Sequence, residues 1–310
     1  QQTTLQALSE HTYYEPYATS LRMGDIGYQN NKENESGVKA NYDSLDAYID
    51  SLSSAIKTPC PEYEKIGIVV DGKYQQLNTN ILQIENEYYS TVRPKQILVG
   101  NEKPVIALHK RGVRYVELRS LDVNAFDPLG VNENQLRFLE AFMQFCLLND
   151  SPIIGKQERR EIDHNELLVA HQGRDPKLSL QRKGRGVFLK DWATEILDAM
   201  QGVCELLDHD EPDTLYQNAL EEQQEKVNDP DKTPSARMLA EIRDRDEEFF
   251  HFANRMSRQH QQYFEGQELS AKSSELLARL VDESIERQNE IESSDNISFE
   301  EYLHQYFSQT

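Results

Sequence analysis

Apolar residues recur every three or four positions from Leu45 to Ile56. Leu45, Tyr48, Ile49, Leu52 and Ile56 would share one face, so the spacing predicts an amphipathic helix that Pro59 and Pro61 then stop. Ile66–Val70 and Lys73–Leu77 flank Asp71-Gly72, a pair suited to a type I′ turn, and together predict a hairpin. Ile81–Tyr89 and Val113–Leu121 read as further strands, the latter the more regular, and Lys103–His109 as a short strand or approach segment. Helical spacing then takes over. Gln135–Leu148 follows a candidate cap at Asn134, and Phe188–Leu207 places Trp192, Ile196, Met200, Val203 and Leu207 on one face. Ser235–Ile242, Ser274–Ile291 and Phe299–Phe307 are also read as helices, the last opening on the capping-box pattern Ser298–Glu301. Asn228–Pro234 reads as a loop with two prolines. Strands come first and helices later, which favours an α+β fold over a doubly wound one. No repeat of solenoid length is visible.

Charge refines this picture. The 310 residues hold 33 Lys and Arg against 54 Asp and Glu, a net charge of −21. Residues 201–310 carry about −16 of it. The expected organisation is therefore one domain with two regions, a sheet-bearing part over 1–204 and an acidic helical part over 205–310. Such a charge disfavours nucleic acid or an anionic membrane as partner, because both need clustered positive charge. No stretch reaches the roughly 18 apolar residues of a membrane helix. Cys60, Cys146 and Cys204 are odd in number and far apart, with no C-x-x-C pair. They read as reduced thiols, Cys146 and Cys204 as buried apolar residues, in a cytoplasmic protein.

Candidate chemistry lies on the strand-like segments. Side chains alternate along a strand, so Tyr115, Glu117 and Arg119 would share one face of Val113–Leu121. Gln83, Glu85, Glu87 and Tyr89 would share one face of Ile81–Tyr89. A carboxylate can hold Mg²⁺, and an arginine two residues on can bind a phosphoryl or carboxylate oxygen through its planar fork. The pattern alone equally describes a solvated face laced with ion pairs, which is the commoner case. A second cluster, Tyr13–Arg22 followed by Gly27 and Tyr28, could recognise a small carboxylate or be an arginine stacked on aromatics. The basic run Arg182–Gly186 suits nucleotide phosphates or a solvated loop. The histidines show no metal-ligand spacing, and no G-x-G-x-x-G, P-loop or G-x-S-x-G is present.

Several longer runs carry more. YEPYATSLRMGDIGY (Tyr14–Tyr28), AIKTPCPEYEKIGI (Ala55–Ile68), LNTNILQIENEYYSTVRPK (Leu77–Lys95) and YVELRSLDVNAFDPLGV (Tyr115–Val131) occur in that order, followed by GRDPKLSL (Gly173–Leu180) and PSARML (Pro234–Leu239). These resemble, over nearly the whole chain, segments of the proteobacterial-type glutamate–cysteine ligases. The resemblance implies a fold similar to glutamine synthetase, an antiparallel sheet curved into a funnel whose polar face is the active site. It implies ATP-dependent ligation of the L-glutamate γ-carboxylate to the L-cysteine amine through a γ-glutamyl phosphate, the first step of glutathione biosynthesis. Mg²⁺ is the implied metal, with Mn²⁺ as the alternative, and the implied whole enzyme is monomeric.

Carried over by position, Glu117 matches a Mg²⁺ ligand and Arg119 the arginine that neutralises the transferring phosphoryl group. Arg22 matches an arginine of the amino-acid pocket, and Tyr28 and Tyr89 match tyrosines around the cysteine. Tyr17 and Asn86 are assigned to packing and hydrogen bonding, and Glu85 to a weaker metal or supporting role. The matched region is the C-terminal part of the family's length. The expectation is that the isolated 310-residue chain is inactive and marginally folded, the whole protein being active. A related ligase using another amine, or a non-catalytic binding or regulatory protein built from a truncated ligase, are the alternatives.

Overall fold

A computed structural model describes residues 5–27, 39–210 and 212–309. In chain order it begins with strands β1 (Gln6–Ala7) and β2 (Tyr13–Tyr14), a 3₁₀ turn at Leu21–Met23, and helices α1 (Leu45–Ala55) and α2 (Pro61–Ile66). Strands β3 (Val69–Val70) and β4 (Lys73–Tyr74), a 3₁₀ turn at Glu85–Glu87, β5 (Val92–Lys95), helix α3 (Pro104–Arg111) and β6 (Tyr115–Leu118) follow. Next are α4 (Glu133–Leu148), α5 (Lys156–Gln172), β7 (Ser179–Arg182), β8 (Arg185–Phe188), α6 (Leu189–Leu207) and α7 (Leu215–Asn228). A 3₁₀ turn at Pro230–Lys232 leads to α8 (Pro234–Asp244), α9 (Phe249–Glu265), α10 (Ala271–Ser294) and α11 (Phe299–Phe307). Among the described residues the strands form four two-stranded antiparallel sheets, so the chain is α+β and mainly helical.

Contacts divide the chain into two compact units, Gln1–Gln29 with Ser120–Phe264, and Asn30–Arg119 with Glu265–Thr310. Both are discontinuous in sequence. They cut across the division at residue 204, which marks a change of composition.

In the first unit, α4, α6 and α7 enclose Ala141, Leu197, Met200, Cys204 and Leu220. Helix α4 starts two residues earlier than the spacing suggested. Its cap is Asn132, not Asn134, because the Asn132 side chain accepts from Gln135 N while Gln135 returns the bond to Asn132 N. Buried Asp208 accepts from Tyr216 N and Gln217 N, both at 2.9 Å, which satisfies two donors at the start of α7. Cys204 is buried as expected, but Cys146 is exposed, since it lies off the face that α4 packs. The hairpin β7–β8 is built on the basic run: Lys183 and Gly184 take φ 53° and 75° at its turn. Arg182 stacks 4.9 Å over Trp192 and binds both carboxylate oxygens of Glu195 at 2.6 and 2.8 Å, so this arginine has structural partners.

A second cluster in this unit joins Ile242, Phe252 and Met256 to Leu8, Ala125, Phe126 and Met238. Phe252 is 1 % exposed and touches Phe126 edge-on at 6.1 Å. Phe252→Ala leaves a cavity there and is expected to destabilise by about 3–5 kcal/mol. Urea unfolding should show the midpoint falling at constant slope. A loss below about 1 kcal/mol would show that the cluster is not part of the cooperative core.

In the second unit, α1 and α3 meet over Tyr48, Ile49, Leu52, Ala55, Leu82, Tyr88, Val105 and Leu108. The Asp71-Gly72 hairpin forms, shorter than read, with both turn residues at positive φ. Two readings are corrected here. Lys103–His109 is not a strand. Pro104 opens a helix there, and the buried Val105 and Leu108 stand three apart on its inner face.

Ile81–Tyr89 is not a strand either. Its backbone docks on the end of α1, Ile81 N bonding Thr58 O and Leu82 N bonding Ala55 O, before the turn at Glu85–Glu87. Its carboxylates consequently share no face. Glu87 accepts from Gln83 N at 2.7 Å, while Glu85 is buried beside the Tyr306 hydroxyl at 3.5 Å. Burial raises the Glu85 carboxyl above the usual range despite the nearby charge of Lys103. Lys103 in turn donates to Phe307 O and Gln309 O at 3.3 and 3.2 Å, which fastens α11 to the start of α3. Glu85 thus belongs to a buried structural clamp.

Candidate active site

The hairpin of β5 and β6 carries the polar cluster. Arg93 pairs directly with Glu117 across the two strands, and Lys95 pairs with Tyr115. Partners in register point the same way, so Arg93, Lys95, Tyr115 and Glu117 share one face, and Arg119 extends it. Arg119 N holds the end of the ladder by bonding Thr91 O at 2.8 Å.

Glu117 sits among three cations on this face. Lys95 Nζ lies 3.6 Å from its Oε2, and Arg119 Nη1 lies 3.6 Å from its Oε1. Both distances are too long for hydrogen bonds. Its Oε2 is buried and has no hydrogen-bond partner among the described residues. Arg93 is buried and donates to Asn86 O at 3.5 Å. Burial is the main reason that the Tyr48 hydroxyl is pushed up to about 12, with Tyr42 and Glu117 adding to it and Arg93 opposing. The Tyr48 hydroxyl therefore stays neutral at ordinary pH. Burial also pulls Lys95 below the usual lysine range, helped by Arg93 and Arg119 and opposed by Glu117. The Arg119 guanidinium lies 5.2 Å from the centre of the Tyr89 ring.

Of the residues read from sequence, Glu117, Arg119 and Tyr89 are brought together in this unit. Arg93 and Lys95 were missed. Their alternation in VRPK was visible, but only the register with β6 shows that they face Glu117. Glu85 and Tyr89 do not share a strand face, for the reason given above.

Arg22 lies in the other unit. It is the middle residue of the 3₁₀ turn Leu21–Met23, and its Nε donates to Asp122 Oδ1 at 2.6 Å and its Nη2 to Leu121 O at 3.1 Å. The segment before it is sewn to the end of α5. Thr19 Oγ1 donates to Val169 O at 2.6 Å, Thr19 N to Ala170 O at 2.9 Å, and Arg174 to Pro16 O and Ala18 O. Tyr17 is half exposed and its carbonyl accepts from Arg174 N. Tyr28 lies outside the described residues.

The family model for glutamate–cysteine ligase matches residues 1–169, more than half of the chain. The chain belongs to the glutamate–cysteine ligase family. It is 45 % identical over 302 residues to the glutamate–cysteine ligase of Pseudomonas paraeruginosa strain PA7, and 44 % identical over 306 residues to that of Janthinobacterium sp. strain Marseille. These alignments cover 97 % and 99 % of this chain but 57 % and 58 % of the relatives, so the chain spans well under two thirds of their length. A crystal structure of the Francisella tularensis glutamate–cysteine ligase in complex with AMP superposes with a TM-score of 0.88 at 35 % identity, over 98 % of this chain and 59 % of that one. A bifunctional glutathione synthetase from Pasteurella multocida shares the fold, with a TM-score of 0.57 at 19 % identity over 82 % of this chain and 27 % of that one.

Three cations around one carboxylate suit an anion that spreads charge over several oxygens. Glu117, whose Oε2 accepts no hydrogen bond, offers a hard oxygen of the kind a divalent cation prefers. Among the described residues no group of three or more His, Cys, Asp or Glu could hold a metal, so Glu117 does not form a complete metal site with its described neighbours. Mg²⁺ commonly takes its remaining ligands from water and nucleotide phosphates, which such a site allows. No helix among the described residues is long and apolar enough to cross a membrane.

Proposed function

We propose that this chain forms part of an ATP-dependent glutamate–cysteine ligase. The observation that carries this reading is Glu117 placed between Lys95 and Arg119, with its Oε2 buried, ion-paired to Lys95 and accepting no hydrogen bond. The γ-carboxylate of glutamate attacks the γ-phosphorus of ATP, giving γ-glutamyl phosphate and ADP. The cysteine amine then attacks the acyl carbon, phosphate leaves, and the amine gives up a proton. Arg119, Lys95 and Arg93 balance the charge of the phosphoryl oxygens, and Glu117 would contribute one oxygen to a divalent cation, Mg²⁺ or Mn²⁺, which would supply charge neutralisation of the nucleotide phosphates. Arg22 binds an amino-acid carboxylate, which would exchange for Asp122. Tyr28 and Tyr89 line the cysteine side, and the ring of Tyr89 supports Arg119.

On this reading the short sheet of β5 and β6 is part of a curved, glutamine-synthetase-like sheet in the whole protein, a cytoplasmic monomer. The likeness to the Francisella ligase supports the fold, and the AMP in that structure supports a nucleotide substrate.

The test is release of ADP by the whole gene product with ATP, Mg²⁺, glutamate and cysteine. Omission of either amino acid should abolish it. Release with ammonia or 2-aminobutyrate but not cysteine would favour a ligase for another amine, and no release would favour the binding protein. Tyr89→Phe keeps the ring under Arg119 and removes only the hydroxyl. It is expected to raise the cysteine KM by about 3- to 10-fold, the loss of one hydrogen bond, at unchanged ATP KM. A larger effect on ATP would move Tyr89 out of the cysteine pocket.

A further inference from the structure

The segment that carries Arg22 is held by a side chain that sequence spacing gave no reason to notice. His171, in the last turn of α5, is 6 % exposed. Its Nδ1 lies 2.7 Å from Glu15 Oε2 and its Nε2 lies 2.7 Å from Asp25 Oδ1. Glu15 precedes the turn that bears Arg22 and Asp25 follows it, so one imidazole spans both sides of that turn. Gly24 makes the approach feasible, since a Cβ there would come 2.6 Å from His171 Nε2.

A neutral imidazole has one N–H and one lone pair. It can donate to one carboxylate, but the other would then face a lone pair at 2.7 Å. Only the imidazolium donates to both. The C-terminal end of a helix favours a cation at this position as well. We propose that His171 is a positioning residue: as an imidazolium bridging Glu15 and Asp25, it holds the Leu21–Gly27 turn and so fixes Arg22 for its substrate carboxylate. The substrate role of Arg22 rests on the function proposed above, whereas the bridge itself does not.

The groups that act on His171 are few. Burial pulls its pKa down, but the hydrogen bonds and charges of Glu15 and Asp25 outweigh this and hold it above the usual histidine value. Arg174, three residues on, is turned to the carbonyls of Pro16 and Ala18, and Arg22 to Asp122. Because the folded value is raised, the bridge is fully formed below about pH 6.5, the unfolded value, and is lost as pH rises through the folded one.

Two readouts on the whole gene product test this. In the first, histidine-ring NMR from about pH 6 to about pH 9 should show His171 titrating above the ordinary value, and lower in Asp25→Asn. Amides of Met23, Gly24 and Gly27, which close the turn through bonds to Ser20, Leu21 and Gly24, should exchange faster above that titration and in His171→Gln. Amides in α6 should not change. In the second, His171→Gln should raise the KM of the amino acid that Arg22 binds by about tenfold with kcat nearly unchanged, and the wild-type KM should rise across the same pH range. Asp25→Asn should show a smaller rise. Ordinary His171 titration, turn amides that ignore pH and the substitution, or uniform loss of protection throughout the unit would overturn the proposal. A wild type without ligase activity would refute the functional reading, while the NMR readout would still decide the bridge.

Discussion

Glu117→Gln is expected to lower glutamate- and cysteine-dependent ADP release by the whole gene product by at least about 10²–10³-fold, the scale of losing one preorganised charge contact in a transition state. The substitution keeps shape and removes charge. It leaves Arg93, Lys95 and Arg119 on one face with no carboxylate between them. An amide nitrogen or a neutral oxygen then stands where a divalent cation would find an anionic ligand. Folding should change little, because the ion pairs at 3.6 Å join partly exposed side chains and such pairs contribute at most about 1 kcal/mol. Activity should therefore be lost with the unfolding midpoint nearly unchanged, and the Mg²⁺ concentration for half-maximal rate should rise. Near-normal turnover with unaltered Mg²⁺ dependence would remove Glu117 from the site.

Arg119→Lys is expected to cost about 10²-fold or more in kcat, although the charge is kept. The guanidinium does two things that an ammonium cannot do together. It lies over the Tyr89 ring, 5.2 Å from the ring centre, and its fork can present parallel donors to an oxyanion. Lysine would place a mobile point charge there, closer to Glu117 or to solvent. The discriminating measurement is kcat against ATP KM. Loss in kcat with little change in KM places Arg119 on the transferring phosphoryl group, whereas a rise in ATP KM alone would make it a ground-state nucleotide contact. Retention of normal rates by the lysine variant would show that only charge matters at this position.

Local signals were legible where a short stretch of chain decides the outcome. The helix over Leu45–Ala55 needed only its apolar spacing, and the terminal helix opened at Ser298 as read. The Asp71-Gly72 turn needed only residues that tolerate positive φ. The shared face of Glu117 and Arg119 followed from strand alternation. The same alternation failed at Ile81–Tyr89, where the polar and apolar positions are compatible with a strand but the backbone finds its hydrogen-bond partners on the end of α1. It failed again at Lys103–His109, where a proline at the first helical position outweighs an apolar run.

The sequence by itself determined the family, through long ordered motifs, together with the α+β class, the main helices and the pairing of Glu117 with Arg119 on one strand. Tertiary structure alone decided which other charges join them. Arg93 and Lys95 meet Glu117 through strand register, and His171 meets Glu15 across 156 positions of chain. Helix and strand periods are properties of a few consecutive residues. Register and long-range ion pairing depend on how separate segments fold back on each other, and nothing in the spacing along the chain records that.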